Sequence, residues 1–264
     1  MLSKLTMKRL GIGLLALTLS LAAAFPAFAN EEVYRKVAPS TAVVMRHDGG
    51  HGTGWVIDVQ NRLLVTARHV VDDGKGGVFK QVDITLAASK DGNVITDWSH
   101  YIANKATLTV KGTVVYDSAR KDMAIIQVPN LPQGMTALVL AKDPARPGQD
   151  VHVIGNSPLR EGGVFAYCYG KVRTTFRFDP PGDPILAHVV AHQTPTNKGD
   201  SGGAVVNNKG EVVGFISQGT TGEPAPRGNP FHQVQVTDYS INAFEIKAGL
   251  DEYTARQVAA EKNR

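Results

Sequence analysis

The run Asn197-Lys198-Gly199-Asp200-Ser201-Gly202-Gly203 sets a serine on a glycine-rich turn, just ahead of the apolar stretch Ala204-Val205-Val206. Glycine lets backbone come close to a reacting carbonyl and aim N–H groups at it, so this turn suits a nucleophilic hydroxyl beside donors for an oxyanion. A serine hydroxyl needs a base to become a nucleophile. His69 follows the apolar run Leu63-Leu64-Val65-Thr66-Ala67-Arg68, whose end holds a ring in place, and imidazole titrates near neutrality, so it can take a proton and return it. Asp122 opens the apolar run Met123–Val128. A carboxylate there is costly to bury unless paired, and the second ring nitrogen of His69 is its useful partner. Asp117 is a rival acid, but no apolar run follows it. The three together can carry acyl transfer, with Ser201 attacking, His69 moving the proton and Asp122 orienting the ring.

The other reactive side chains carry less. Cys168 is the single cysteine, so no intramolecular disulfide is possible; it lies in the strand-like Phe165-Ala166-Tyr167-Cys168-Tyr169 with no His or Lys beside it, and reads as an inert buried thiol. His47 and His51 are four apart, as are His188 and His192, a spacing that puts each pair on one face of a strand, where zinc can bind. Neither pair has a third ligand nearby, so surface or hydrogen-bonded histidine is the better reading, and neither metal nor organic cofactor is expected.

Elements that position these residues are short strands cut by glycine, proline and Asp/Asn turns: Ala42-Met45, Gly54-Val59, Leu63-Thr66, Val82-Leu86, Thr107-Val110, Ala124-Val128, Asp150-Ile154, Lys171-Thr175, Leu186-Ala191, Ala204-Val206, Val212-Ser217 and His232-Thr237. Turn signals about every ten residues argue an all-β barrel or sandwich. Residues 129–148 read as a crossover, with a first barrel at about 33–130 and a second at about 147–238. Ala88 to Lys105, with Trp98, His100 and Tyr101 among polar residues, reads as a long inserted loop, and the Gly/Pro-rich segment from Gly219 to Asn229 as a second insertion. Only the tail, residues 239–264, reads as helix, with Ile241, Phe244, Ala248 and Tyr253 on one face and Gly249 weakening its middle, packed against the second barrel.

The first 29 residues read as an export signal. Lys4, Lys8 and Arg9 precede an apolar stretch from Leu10 to Phe25, and Ala27-Phe28-Ala29 is a small-x-small cleavage site before Asn30. The stretch is short of the roughly 20 apolar residues that span a bilayer, so no stable membrane insertion is expected after cleavage. Cleavage takes Lys+Arg from 28 to 25 against 24 acids, a net charge near +1. With no basic patch interleaved with aromatics, nucleic-acid binding is not indicated. The sequence does not give the oligomeric state.

The segments Thr66-Ala67-Arg68-His69, Asp122-Met123-Ala124-Ile125 and Gly199-Asp200-Ser201-Gly202-Gly203 resemble those of the trypsin/chymotrypsin-like serine peptidases, closest to the disulfide-free bacterial HtrA/Deg type. The resemblance extends to Gly52-Thr53-Gly54, Val153-Ile154-Gly155-Asn156 and Gly210-Glu211-Val212-Val213-Gly214, and covers most of residues 40–220. It implies two six-stranded antiparallel β-barrels with the active site between them, over residues 30–238. It implies a catalytic triad of His69, Asp122 and Ser201, and an oxyanion hole of the Gly199 and Ser201 N–H groups with Asp200 between them. It implies substrate contacts at Thr196, Ser217 and Gly219, with an extended peptide pairing along Gly214–Ser217. The expected partner is a protein or peptide substrate, and the expected location the periplasm or the outside of a bacterial cell. The tail is too short for the PDZ domain usual in the HtrA type. Where relatives that cleave after Lys or Arg carry a carboxylate six residues before the nucleophile, this chain has Pro195, so the resemblance gives no basis for that preference and a pocket for small or medium apolar side chains is expected. A latent or non-catalytic peptide-binding protein on the same fold is the alternative.

Overall fold

The computed structural model describes residues 26–219 and 237–263; residues 1–25 of the segment 1–29 expected as an export signal, and most of the Gly/Pro-rich insertion, lie outside the described residues. In chain order the strands are β1 Thr41–Met45, β2 His51–Asp58, β3 Leu63–Ala67, β4 Gln81–Leu86, β5 Ser89–Lys90, β6 Asn93–Val94, β7 Thr109–Ser118, β8 Met123–Gln127, β9 Asp150–Gly155, β10 Ala166–Phe178, β11 Ala187–Gln193, β12 Ala204–Val206, β13 Val212–Gly219 and β14 Asp238–Asn242. Two six-stranded barrels close on themselves, in the orders β1-β2-β3-β8-β7-β4 and β10-β11-β14-β13-β12-β9. All their pairings are antiparallel, as a chain of short strands and tight turns demands. Closure leaves no unpaired sheet edge to be protected.

The all-β, two-barrel expectation is met. Trp55, Leu64, Ile84 and Ile126 are fully buried in the first half, where β1, β2, β3 and β8 bury residues on both faces, and Val151, Val153, Val190, Val205 and Val213 fill the second. With no disulfide available, this apolar filling is what holds the barrels.

Several local expectations are corrected. Thr107 and Leu108 are not strand: α2 Trp98–Ala103 and α3 Lys105–Leu108 follow α1 Pro26–Val37 in the chain, and β7 starts only at Thr109. The Thr107 hydroxyl donates to the Asn104 carbonyl at 3.0 Å, a local bond that competes with sheet pairing. The segment 88–105 is not a loose loop either. It forms the β5–β6 hairpin and α2, capped by Asp97, whose carboxylate accepts from Ser99 N at 2.9 Å. Tyr101 is 1% exposed, stacks on Trp98 at 5.8 Å and meets Phe165 edge-on at 5.6 Å. Trp98 N donates to Gly162 O and Val164 N to Thr96 O, so the insertion straps the first barrel to the start of the second.

At the other end, β14 carries the second barrel through Asn242, so Ser240 to Asn242 are strand rather than helix; residues 232–236, expected as strand, lie outside the described residues. The tail helix is α4 Ala243–Lys262, with Asn242 as its cap. Its packed face is Ala243, Ile246 and Gly249, while Phe244 is 49% exposed. Gly249 is the point of closest approach to the first barrel, because a Cβ there would come within 2.6 Å of Met123 Sδ. The Tyr116 hydroxyl and Lys121 of the first barrel reach Glu252, and His188 of the second meets Glu245, so α4 rests on both barrels. Helix α1 runs continuously through the junction expected for cleavage, and Val33 and Val37 are buried. Among the described residues no helix is long and apolar enough to cross a membrane.

Candidate active site

The pairing of β3 with β8 aligns Ala67 with Met123, so the residues just after one strand meet the residue just before the other. Arg68 N donates to Asp122 O at 2.8 Å, His69 N donates to Asp122 Oδ1 at 3.0 Å, and His69 Nδ1 lies 2.8 Å from Asp122 Oδ2. Asp122 sits at φ +42°, a left-handed conformation that aspartate tolerates better than most residues. Its carboxylate is buried and takes a further hydrogen bond from Ser217 Oγ at 2.6 Å. With Nδ1–H donating to the carboxylate, Nε2 is left as the basic nitrogen of the ring. Burial alone lowers the His69 pKa, but the hydrogen bond and charge of Asp122 outweigh it, and the net shift is upward from 6.5.

The serine turn is gripped from the other barrel. Thr53 N on β2 donates to Ser201 O at 2.8 Å, and Thr53 Oγ1 donates to Gly199 O at 2.7 Å. Asn156, at the end of β9, donates in turn to Thr53 Oγ1 at 3.0 Å and to Ala42 O at 3.1 Å. Both glycines beside the serine are required by space and conformation. Gly202 has φ +84°, and a Cβ there would stand 2.2 Å from Thr53 O; Gly199 has φ +108°, and a Cβ would stand 2.7 Å from Asn156 O. The buried Asp200 carboxylate accepts from Ser157 N at 3.0 Å and Asn197 N at 2.8 Å, so backbone N–H groups compensate this acid. Burial still pushes its pKa up, against the pull of those donors.

Among the described residues, the Gly199 and Ser201 N–H groups have no acceptor, whereas Asp200 N–H is spent on Asn197 O at 3.0 Å. Ser201, His69, Gly199, Thr196, Ile216 and Asp238 face one cavity of about 1060 Å³. Ser201 Oγ makes no direct hydrogen bond to His69, a looseness common in unliganded hydrolase sites. Such a cleft can take an extended chain, attack a carbonyl with a hydroxyl and receive the resulting oxyanion on two N–H groups.

The sequence matches the trypsin-like peptidase domain family over residues 52–215. The chain belongs to that family. Two curated relatives, the serine proteases MT3772 and Rv3671c from two strains of Mycobacterium tuberculosis, are each 32% identical over 130 residues, which is 45% of this chain and 32% of theirs. The matched part is thus about a third of the length of those relatives. Crystal structures of the Rv3671c protease superpose on this fold. An inactive form carrying a serine-to-alanine substitution gives a TM-score of 0.62 at 26% identity, over 88% of this chain and 95% of that one. An active form gives 0.61 at 25%, over 86% of each. Deg5 shares the fold with a TM-score of 0.60 at 20% identity, over 85% of this chain and 93% of its own.

The remaining expected residues of this trypsin-like domain are disposed as follows. Thr196 lines the cavity. The Ser217 hydroxyl is turned to Asp122, away from any substrate role for its side chain. Gly219 pairs with Asp238 across the β13–β14 ladder. Asp117 stands outside the site, holding Arg68 Nε at 3.1 Å; Asp72 takes the other face of that guanidinium at 2.9 Å. Of the histidine pairs, His188 is exposed and meets Glu245 at 3.0 Å, while His192 is buried between Thr194 Oγ1 and Ser240 Oγ, each at 2.7 Å. His47 edges onto Phe79, and His51 lines the cavity near Gly199. Among the described residues no three metal-ligating side chains converge. Cys168 is half-buried, and burial together with the charges of Asp200 and Asp238 pushes its thiol up to about 11, which keeps it unreactive. Sequence reasoning missed the roles of Thr53 and Asn156. Both sit in segments quoted for the resemblance, but nothing in their spacing says that a threonine of one barrel must hold the nucleophile turn of the other.

Proposed function

We propose that the protein is an exported serine endopeptidase that hydrolyses peptide bonds through an acyl-enzyme. The observation that carries this is the doubly bonded His69–Asp122 pair facing the same cavity as Ser201 and two unpartnered N–H groups. Ser201 Oγ attacks the substrate carbonyl carbon as its proton passes to His69 Nε2, and the carbonyl oxygen becomes an oxyanion on Gly199 N–H and Ser201 N–H. Asp122 orients the ring and stabilises the imidazolium, and Ser217 in turn fixes the carboxylate. The imidazolium proton goes to the leaving amine as the C–N bond breaks. A water then attacks the ester, giving its proton to His69, and His69 passes that proton to Ser201 Oγ as the ester C–O bond breaks and the free acid leaves. Thr196 and the Ser217–Gly219 end of β13, beyond its pairing with β12, receive the substrate backbone; Gly214 and Phe215, which the resemblance also offered, are already paired to β12 and β14, and Ile216 is bonded to Gly202 and Gly203.

Export rests on the basic start, the apolar stretch and the Ala27-Phe28-Ala29 site, and puts the enzyme in the periplasm or outside a bacterial cell. The test is cleavage of a fluorogenic peptide set by wild type and by Ser201→Ala purified alike. Turnover by wild type and none by the folded variant is expected; equal cleavage by both refutes the assignment. A latent reading has one observation in its favour: the related Rv3671c protease has been solved in both active and inactive forms. Acylation of Ser201 only after an activating peptide is added would select it.

A further inference from the structure

Asp238 is an ionisable group that the proposed chemistry leaves unused. It opens β14 directly opposite Gly219, is 1% exposed, and contributes to the wall of the catalytic cavity together with Thr196, Ile216 and Ser201. Its carboxylate is supplied only with neutral donors: Thr194 Oγ1 at 3.3 Å, and the hydroxyl and backbone N–H of Thr196. His192 is its ladder partner, and its ring is already committed to Thr194 and Ser240. Burial drives the His192 pKa down to about 4, so that ring is uncharged at neutral pH and gives Asp238 no countercharge. Among the described residues no cation forms an ion pair with Asp238. A buried carboxylate without a cation is unfavourable to the fold, and burial shifts its pKa upward accordingly. Such a cost is understandable where a ligand supplies the missing charge.

We propose that Asp238 is the specificity-determining carboxylate of the cleft, and that the enzyme cleaves after a basic side chain, lysine or arginine, whose cation pairs with Asp238 beside the Thr196 hydroxyl. This rests on the reading of Ser201 and β13 as the nucleophile and the substrate-pairing edge. A peptide laid along β13 projects alternate side chains off the strand, and the residue whose carbonyl faces Ser201 turns its side chain between the Thr196 turn and β14, where Asp238 stands. The acid therefore comes from a different strand than the position six residues before the serine, which Pro195 occupies. The cations on the cavity rim do not cancel it. Lys198 and Arg160 are exposed and solvated, and Arg46 is held by Asp48 at 2.9 Å, whereas Asp238 acts from a desolvated position where a charge is felt more strongly.

The test has two arms. In the first, p-aminobenzamidine, a small arylamidinium that needs no turnover, is titrated by fluorescence into Ser201→Ala and into Ser201→Ala/Asp238→Asn. Saturable binding weakened by about a hundredfold or more on loss of the carboxylate is expected, since stripping one partner from a buried charge pair is costly. No binding, or equal binding by both proteins, overturns the proposal. In the second, kcat/KM is measured for peptides differing only in the residue before the scissile bond. Wild type is expected to favour Arg and Lys over Leu and Ala at least tenfold; a preference for apolar residues overturns the proposal. If Asp238→Asn does not fold, amidine binding to Ser201→Ala and the wild-type profile decide. Failure of the peptidase reading is seen separately, as absence of fluorophosphonate labelling on Ser201, while the amidine arm still reports on Asp238.

Discussion

Thr53→Val tests whether the first barrel sets the geometry of the oxyanion site on the second. Thr53 is fully buried, and valine matches its shape, so packing is nearly conserved. What is lost is the hydroxyl that donates to Gly199 O at 2.7 Å and accepts from Asn156 Nδ2 at 3.0 Å. Leaving a buried polar group unsatisfied costs about 1–3 kcal/mol. Where that loss frees Gly199 to swing its N–H away from the oxyanion, it enters the barrier, and at about 1.4 kcal/mol per decade it lowers kcat by about fivefold to 150-fold. The ceiling is the roughly 3–4 kcal/mol for losing an oxyanion donor altogether. The assay is steady-state kinetics on a fluorogenic peptide with unfolding followed in parallel. The expected pattern is a fall in kcat with KM within about threefold of wild type, because the donor acts on the transition state. Thr53→Ser keeps the hydroxyl and should recover most of kcat while still losing a methyl contact. An unchanged kcat in Thr53→Val with a lowered melting point would refute the reasoning and make Thr53 a purely structural tie.

Other expectations follow from the same geometry. Because Asp122 raises the His69 pKa, kcat/KM should climb with pH through an apparent value above 6.5, and Asp122→Asn should move that value down; an unmoved acid limb would assign it to another group. The same pair stabilises the fold fully below pH 6.5 and loses that contribution as pH rises through the folded value, so the wild-type melting advantage over His69→Ala should shrink across that window. Tyr101→Phe removes a hydroxyl that donates to Ile95 O at 2.7 Å and accepts from Ala88 N at 3.1 Å, and should lower the melting point by about 2–8 °C. With its thiol pushed up to about 11, Cys168 should react with iodoacetamide at pH 8 far more slowly than a free thiol; rapid alkylation in the native state would contradict that environment.

Much of this molecule is legible in one sequence because its chemistry is written in short contiguous runs. Ala67-Arg68-His69 and Asp122-Met123 each join a strand end to a functional side chain, and the β3–β8 register then makes their meeting obligatory. Gly199 and Gly202 could be read as turn glycines from their neighbours alone. What the sequence hides depends on distant partners. Ser217 reads as a substrate residue because it lies on the strand beside the cleft, yet its hydroxyl serves Asp122, 95 positions away in the chain. Tyr101 looks like an ornament of a polar loop until Phe165 of the other half and the stacked Trp98 bury it. Gly249 reads as a helix weakness, but it is the residue that admits Met123. Local propensity cannot register a contact made by a strand elsewhere.

The central claim is that Ser201 is a nucleophile primed by His69 and served by an oxyanion hole. It is tested most directly by treating the purified protein with a fluorophosphonate and mapping the adduct by mass spectrometry, with Ser201→Ala as control. The account predicts a single adduct on Ser201, formed more slowly in His69→Ala and absent from the control. A folded wild-type protein that takes no label, alone or with candidate activating peptides, would contradict it.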